Sequence, residues 1–73
     1  MDKETIGKKL QFYKDKNTPI HIAMDGSFKN GFIVSIHADF VMLNDFVFGE
    51  LPVFFAEIID ITPYKSKEER GND

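Results

Sequence analysis

The chain contains no cysteine, so no disulfide can staple it and no thiolate metal site can form. The same absence suits a cytoplasmic protein. Histidine is limited to His21 and His37. With no further His or Cys to complete a ligand set, no metal and no cofactor is expected. The five glycines form neither a P-loop nor a dinucleotide fingerprint, and no paired-carboxylate arrangement stands out. Apolar runs stop far short of the ~20 residues that cross a bilayer, so no membrane association is expected. The N-terminus, Met1-Asp2-Lys3-Glu4, mixes both charges and leads into Gly7-Lys8-Lys9, unlike a signal peptide. Basic charge is also scarce in the body of the chain. Over residues 17–63 Lys29 alone faces six acids, a balance of −5. Residues 1–16 carry five lysines against three acids, a balance of +2, and residues 64–73 are balanced. The net charge of −3 argues against bulk affinity for nucleic acid and places what cationic field there is on the N-terminal segment.

What is present is a single small domain of 73 residues, 42% apolar, with eight phenylalanines. A chain of this size buries only about 60% of its unfolded surface, so its own core is marginal. With no disulfide or metal available, association between copies is the expected source of further stability.

Periodicity gives the elements. Ile6, Leu10 and Tyr13 form one stripe of a 3.6-residue repeat and predict a helix over about 3–15, with Lys3, Lys8, Lys9 and Lys14 largely off that stripe. The helix ends near Asn17, because Pro19 restricts Thr18 to extended geometry. Ile20-His21-Ile22-Ala23-Met24 alternates as a first strand, and Asp25-Gly26 is a turn. Ser27 to His37 is a second strand, in which Gly31 suggests a bulge or sharp bend. Ala38-Asp39 turns into a third strand, Phe40 to Leu43. Leu51 to Ala56 is a fourth and Ile58 to Ile61 a short fifth, stopped by Pro63. Residues 65–73 are charged and unpatterned and read as a disordered tail.

A helix followed by five closely spaced short strands predicts a mostly β domain over residues 1–64: an antiparallel, strongly bent small barrel at about 19–63 behind the N-terminal helix. Strands three to five are apolar on both faces. Only one face of a small barrel is inside, so the other must meet the helix or another subunit.

Two stretches carry a resemblance: Gly31-Phe32-Ile33-Val34-Ser35-Ile36-His37-Ala38-Asp39-Phe40-Val41-Met42-Leu43-Asn44-Asp45, and Glu57-Ile58-Ile59-Asp60-Ile61-Thr62-Pro63. Gly31, Ile33 and Ile36, then a turn and Phe40-Val41-Met42-Leu43, resemble the first motif of the Sm-like family, the Sm and LSm ring proteins and bacterial Hfq. The closing apolar strand ending in Thr62-Pro63 resembles the second. The likeness spans residues 4–63, with one extra residue in the His37-Ala38-Asp39 turn. It implies a helix on a bent five-stranded barrel, joined through strands four and five into a homo-oligomeric ring of about five to seven subunits. On those strands the resemblance makes Val53, Phe55, Ile58, Ile59 and Ile61 the expected interface positions. It also implies binding of RNA or single-stranded DNA without catalysis.

The uracil-holding positions depart from the family. The position of its Asn falls on Val41 or Met42, and its Arg-Gly pair falls on Phe54-Phe55. Base-edge donors and phosphate-binding cations are thus absent from the pocket the resemblance implies. Binding there would rest on stacking, worth ~1–3 kcal/mol per base. The nucleic-acid candidates are therefore His37, Asp39, Phe40, Phe54 and Phe55, with Lys8 and Lys9 as a basic rim. Each has a plainer alternative. His37 and Asp39 suit a structural turn, with the Asp39 side chain capping backbone N–H groups. Phe54 and Phe55 suit a buried interface, and the lysines a solvated helix face. The acidic body and the surplus of Phe keep a second function open: an oligomeric Sm-like or SH3-like module that binds other proteins. His37 with Asp39 also invites an acid–base reading, but no oriented nucleophile accompanies them, and no enzyme is expected.

Overall fold

A computed structural model describes residues 1–65 of the chain. Helix α1 (Lys3–Asp15) begins at Asp2, whose carboxylate accepts the Thr5 N–H at 2.7 Å. That is the expected use of an acidic N-cap, which satisfies a donor the helix leaves free. The hydrogen bond is also the main reason the Asp2 pKa is lowered. The helix stops where Asn17 turns left-handed at φ 54° and the Thr18 N–H returns to the Tyr13 carbonyl at 3.0 Å. Ile6 and Leu10 are fully buried and Tyr13 packs beside them, so the predicted stripe is the docking face.

Five strands follow: β1 (Ile20–Met24), β2 (Ser27–Ile36), β3 (Phe40–Asp45), β4 (Gly49–Phe54) and β5 (Ile58–Pro63). A single 3₁₀ turn, η1 (Phe55–Glu57), links the last two. All pair antiparallel in one sheet of order β4-β3-β2-β1-β5. β4 and β5 are its two edges and do not pair with each other, so hydrogen bonds within the chain leave the sheet open. β1 and β2 form a hairpin around Asp25-Gly26, with Gly26 at φ 77°. Ile20, Ile22, Val41, Leu43, Val53 and Ile61 alternate onto one face and close the core with Phe55, Ile58 and the helix. Among the described residues no helix is long and apolar enough to cross a membrane.

Several expected boundaries shift. The second strand ends at Ile36 rather than His37, and the third continues to Asp45. The fourth starts two residues earlier and stops at Phe54, because Phe55 and Ala56 enter the 3₁₀ turn. Gly31 is not a bulge. It pairs in register with Ile20 and Asp45, and a Cβ there would drive into the Asn44 carbonyl. The bulge lies three residues on, between Ile33 and Ser35, where Val34 is the extra residue. A second irregularity, opposite Ala23 and Met24, leaves Ile59 as the unpaired residue of β5, 57% exposed. Of the expected tail only Lys65 falls within the described residues.

Candidate functional site

The β2–β3 turn is narrow. The His37 N–H donates to the Phe40 carbonyl at 2.9 Å, which folds the His37 ring back over Phe40. The two rings lie 4.4 Å apart and within 13° of parallel. A 2.9 Å hydrogen bond between the Ser35 hydroxyl and His37 Nε2 holds the imidazole in place. Register then sets Phe40 opposite Phe54 on β4, ring centroids 5.7 Å apart and inclined at 50°. His37, Phe40 and Phe54 thus form a row of rings on the face turned away from Val41 and Val53. Phe54 is half exposed at 49%.

Phe55 turns the other way. Its N–H donates to the Asp39 carbonyl at 2.9 Å, and its ring is buried in the core. The Asp39 carboxylate does not cap the turn. It pairs with Lys3 Nζ at 2.9 Å, reaching across to the start of α1. Both partners are well exposed, so the pair contributes about 0–1 kcal/mol. Beneath it lies a cleft of about 430 Å³, lined by Met1, Ile6, Phe54, Ala56 and Ile58 among others. The neighbourhood thus combines an aromatic row, an apolar recess and, at the rim, a lysine paired with Asp39.

The structure brings His37, Asp39, Phe40, Phe54 and Phe55 into one neighbourhood and leaves Lys8 and Lys9 out of it. Lys9 is occupied: its ammonium donates to the Ile61 carbonyl at 3.2 Å and lies 3.6 Å from Asp60. It ties α1 to β5, whereas Lys8 is exposed. Lys3, one of the helix lysines that could form a basic rim, is the one beside the platform, and nothing in the sequence singles it out over Lys8 and Lys9. Its partner is 36 positions away, and nothing local signals that. His37 and Asp39 do not bond to each other, since each is engaged elsewhere. Among the described residues no cluster of three or more His, Cys, Asp or Glu side chains has the geometry of a metal site.

Of the five interface positions, Val53, Phe55, Ile58 and Ile61 are buried in the chain's own core, and Ile59 alone projects. Among the described residues neither β4 nor β5 has a second partner strand, and on β5 the Ile61 carbonyl and N–H are taken by Lys9 Nζ and Asp60 Oδ1. No protein-family model and no curated protein matches this sequence, so the aromatic row and the two open edges carry the functional reading.

Proposed function

We propose that this chain is a subunit of an Sm-like ring that binds single-stranded RNA or DNA without catalysis, its strands completing a bent barrel in the ring. Bases stack on the His37–Phe40–Phe54 row rather than being read at their edges. The single observation that carries this reading is the near-parallel His37–Phe40 stack, extended by Phe54 at the β4 edge. Stacking platforms are sequence-tolerant because every base has a π-face. The two unpaired edges suit ring assembly by backbone pairing. The lack of cysteine suits work in the cytoplasm.

Fluorescence anisotropy with short oligo-U and oligo-A at low salt tests the reading. Both sequences bind with similar affinity, and Phe54→Ala weakens binding by about tenfold. Lys8→Glu weakens it less, and Lys9 is left unchanged because it holds the helix. Absence of binding to either sequence at about tens of micromolar would sink the reading.

One observation favours a protein ligand instead. Phe46, Val47 and Phe48 project from the β3–β4 connection at 49%, 79% and 73% exposure. Recovery of a specific protein by pull-down after nuclease treatment, with no anisotropy change, would select that alternative.

A further inference from the structure

A second cleft, of about 420 Å³, lies over the β2–β1–β5 end of the sheet, away from the aromatic row. Its floor follows from register. His21 on β1 faces Asn30 on β2 and Thr62 on β5, so three polar side chains form one row across three strands. His21 Nδ1 and Asn30 Oδ1 are hydrogen-bonded at 2.6 Å. The Asn30 backbone is clamped on both sides: its N–H donates to Asp45 Oδ1 at 3.3 Å and its carbonyl accepts from the Phe46 N–H at 2.9 Å.

Three apolar rings wall the cleft: Phe28, Pro63 and Tyr64. Phe28 leans on His21 at 5.4 Å. Tyr64 is braced by Phe46 at 5.0 Å, and its N–H is tied to the Pro19 carbonyl at 2.9 Å. Walls and floor are therefore held in place without a ligand.

The polar groups are unbalanced. With Asn30 Oδ1 accepting from the His21 Nδ1–H, the unused polar group of this cleft-lining side chain is its Nδ2–H donor. Thr62 and Tyr64 add hydroxyls and Lys65 an ammonium at the rim. Among the described residues no carboxylate lines the cleft, although acids outnumber bases six to one over residues 17–63, which supply most of its lining. Such a site suits a ligand that brings apolar rings and carbonyl acceptors but few donors and no positive charge. A proline-rich segment has that chemistry. Its residues lack N–H groups, its pyrrolidine rings stack on aromatics, and its extended backbone leaves carbonyls free to accept.

We infer that this cleft binds a proline-rich, non-basic peptide segment, its rings between Phe28 and Tyr64 and its carbonyls on Asn30 and Thr62. The inference does not rest on the nucleic-acid reading, because the two sites share no residue.

The test is ¹⁵N NMR titration of the full chain with an acetylated decaproline. A Gly-Ser peptide of equal length and the mononucleotides AMP and UMP are the comparators. Decaproline shifts the amides of Phe28, Asn30, Thr62 and Tyr64 at about millimolar concentration and leaves those of His37 and Phe40 unmoved. Tyr64→Ala weakens binding by about tenfold, and Asn30→Asp, which keeps the His21 bond but removes the donor, by about fivefold or more. An unchanged affinity in Asn30→Asp, with the variant's spectrum otherwise native, would overturn the inference. So would a cleft that answers to the Gly-Ser peptide or the mononucleotides as strongly as to decaproline, or to none of them.

Discussion

Asp45 is the residue on which the β3–β4 connection depends. It is the one buried charged side chain among the described residues. Its Oδ2 accepts the Val47 and Phe48 N–H groups, both at 2.9 Å, and its Oδ1 accepts that of Asn30. With Phe46 N–H on the Asn30 carbonyl, every N–H of the exposed Phe46-Val47-Phe48 tip has an internal partner. Burial alone pushes the Asp45 carboxyl up, but the three N–H donors outweigh it and hold the pKa below the ordinary value. A depressed native pKa means stability that is fully present above the unfolded carboxylate value, about 3.9, and is lost as pH falls through the native one. Urea unfolding of the wild type should therefore weaken on acidification below about pH 4. Asp45→Asn keeps the shape but turns a donor toward those N–H groups, and should cost about 1–3 kcal/mol at neutral pH. Its stability should also respond less to acid over that range. Parallel acid profiles for wild type and variant would show that another carboxylate governs the loss. By residue type Asn44-Asp45 reads as the start of a turn, but β3 runs through both residues and the turn begins at Phe46. That Asp45 also clamps Asn30, 15 positions earlier, follows only from strand pairing.

At the scale of elements, the helix and the first hairpin were legible because their signals are local. Ile6, Leu10 and Tyr13 share a stripe, Pro19 closes the helix, and Asp25-Gly26 sits between alternating strands. The later elements were less legible because cross-strand geometry sets their limits. Gly49, at φ 79°, reads as a turn glycine yet pairs with Asp45 at the first position of β4. Phe55 and Ala56 continue an apolar run and still leave the strand, because the Phe55 N–H goes to Asp39 and its ring to the core. Gly31 marks a close approach of backbones and not a bulge, a distinction that depends on what lies opposite. The aromatic row was legible as residue types, but its assembly required the Phe40–Phe54 register. The helix offers a direct test of packing. Leu10→Ala removes a fully buried side chain between α1 and the sheet and should cost about 2–5 kcal/mol. Phe12→Ala, at a position 54% exposed on the same helix, should change stability by about 0.5 kcal/mol or less. Equal losses in thermal or urea unfolding would mean that the helix is held by something other than its Ile6–Leu10 stripe.

The described residues form a small sheet whose two edges, β4 and β5, have no partner strand on their outer sides, although on β5 side chains already take the Ile61 carbonyl (Lys9) and the Ile61 N–H (Asp60). Such edges invite pairing with another chain unless they are charged, bent away or covered. β4 carries Glu50 and Pro52, which blunt it in part, and the bulge at Ile59 twists β5. Neither device covers the apolar side chains nearby. Phe54 and Ile59 remain about half exposed at opposite edges of the sheet. A closed cyclic assembly that joins β4 of one copy to β5 of the next removes both edges at once. It leaves no end from which a filament can grow. In the proposed ring the bond would be backbone pairing reinforced by apolar contact, so the assembly should be insensitive to moderate salt, unlike one held by exposed ion pairs. Multi-angle light scattering of the full chain should then give one species of about five to seven times the 8.4 kDa chain mass. That mass should be the same at about 0.1 M and 1 M salt. Ile59→Lys, which sets a charge at the β5 edge without touching the core, should shift the population toward smaller species. A monodisperse particle at the chain mass would mean that the open edges are stable alone. It would remove the proposed ring, and with it the repeated array of His37–Phe40–Phe54 rows on which the proposed multivalent binding of a single strand would depend.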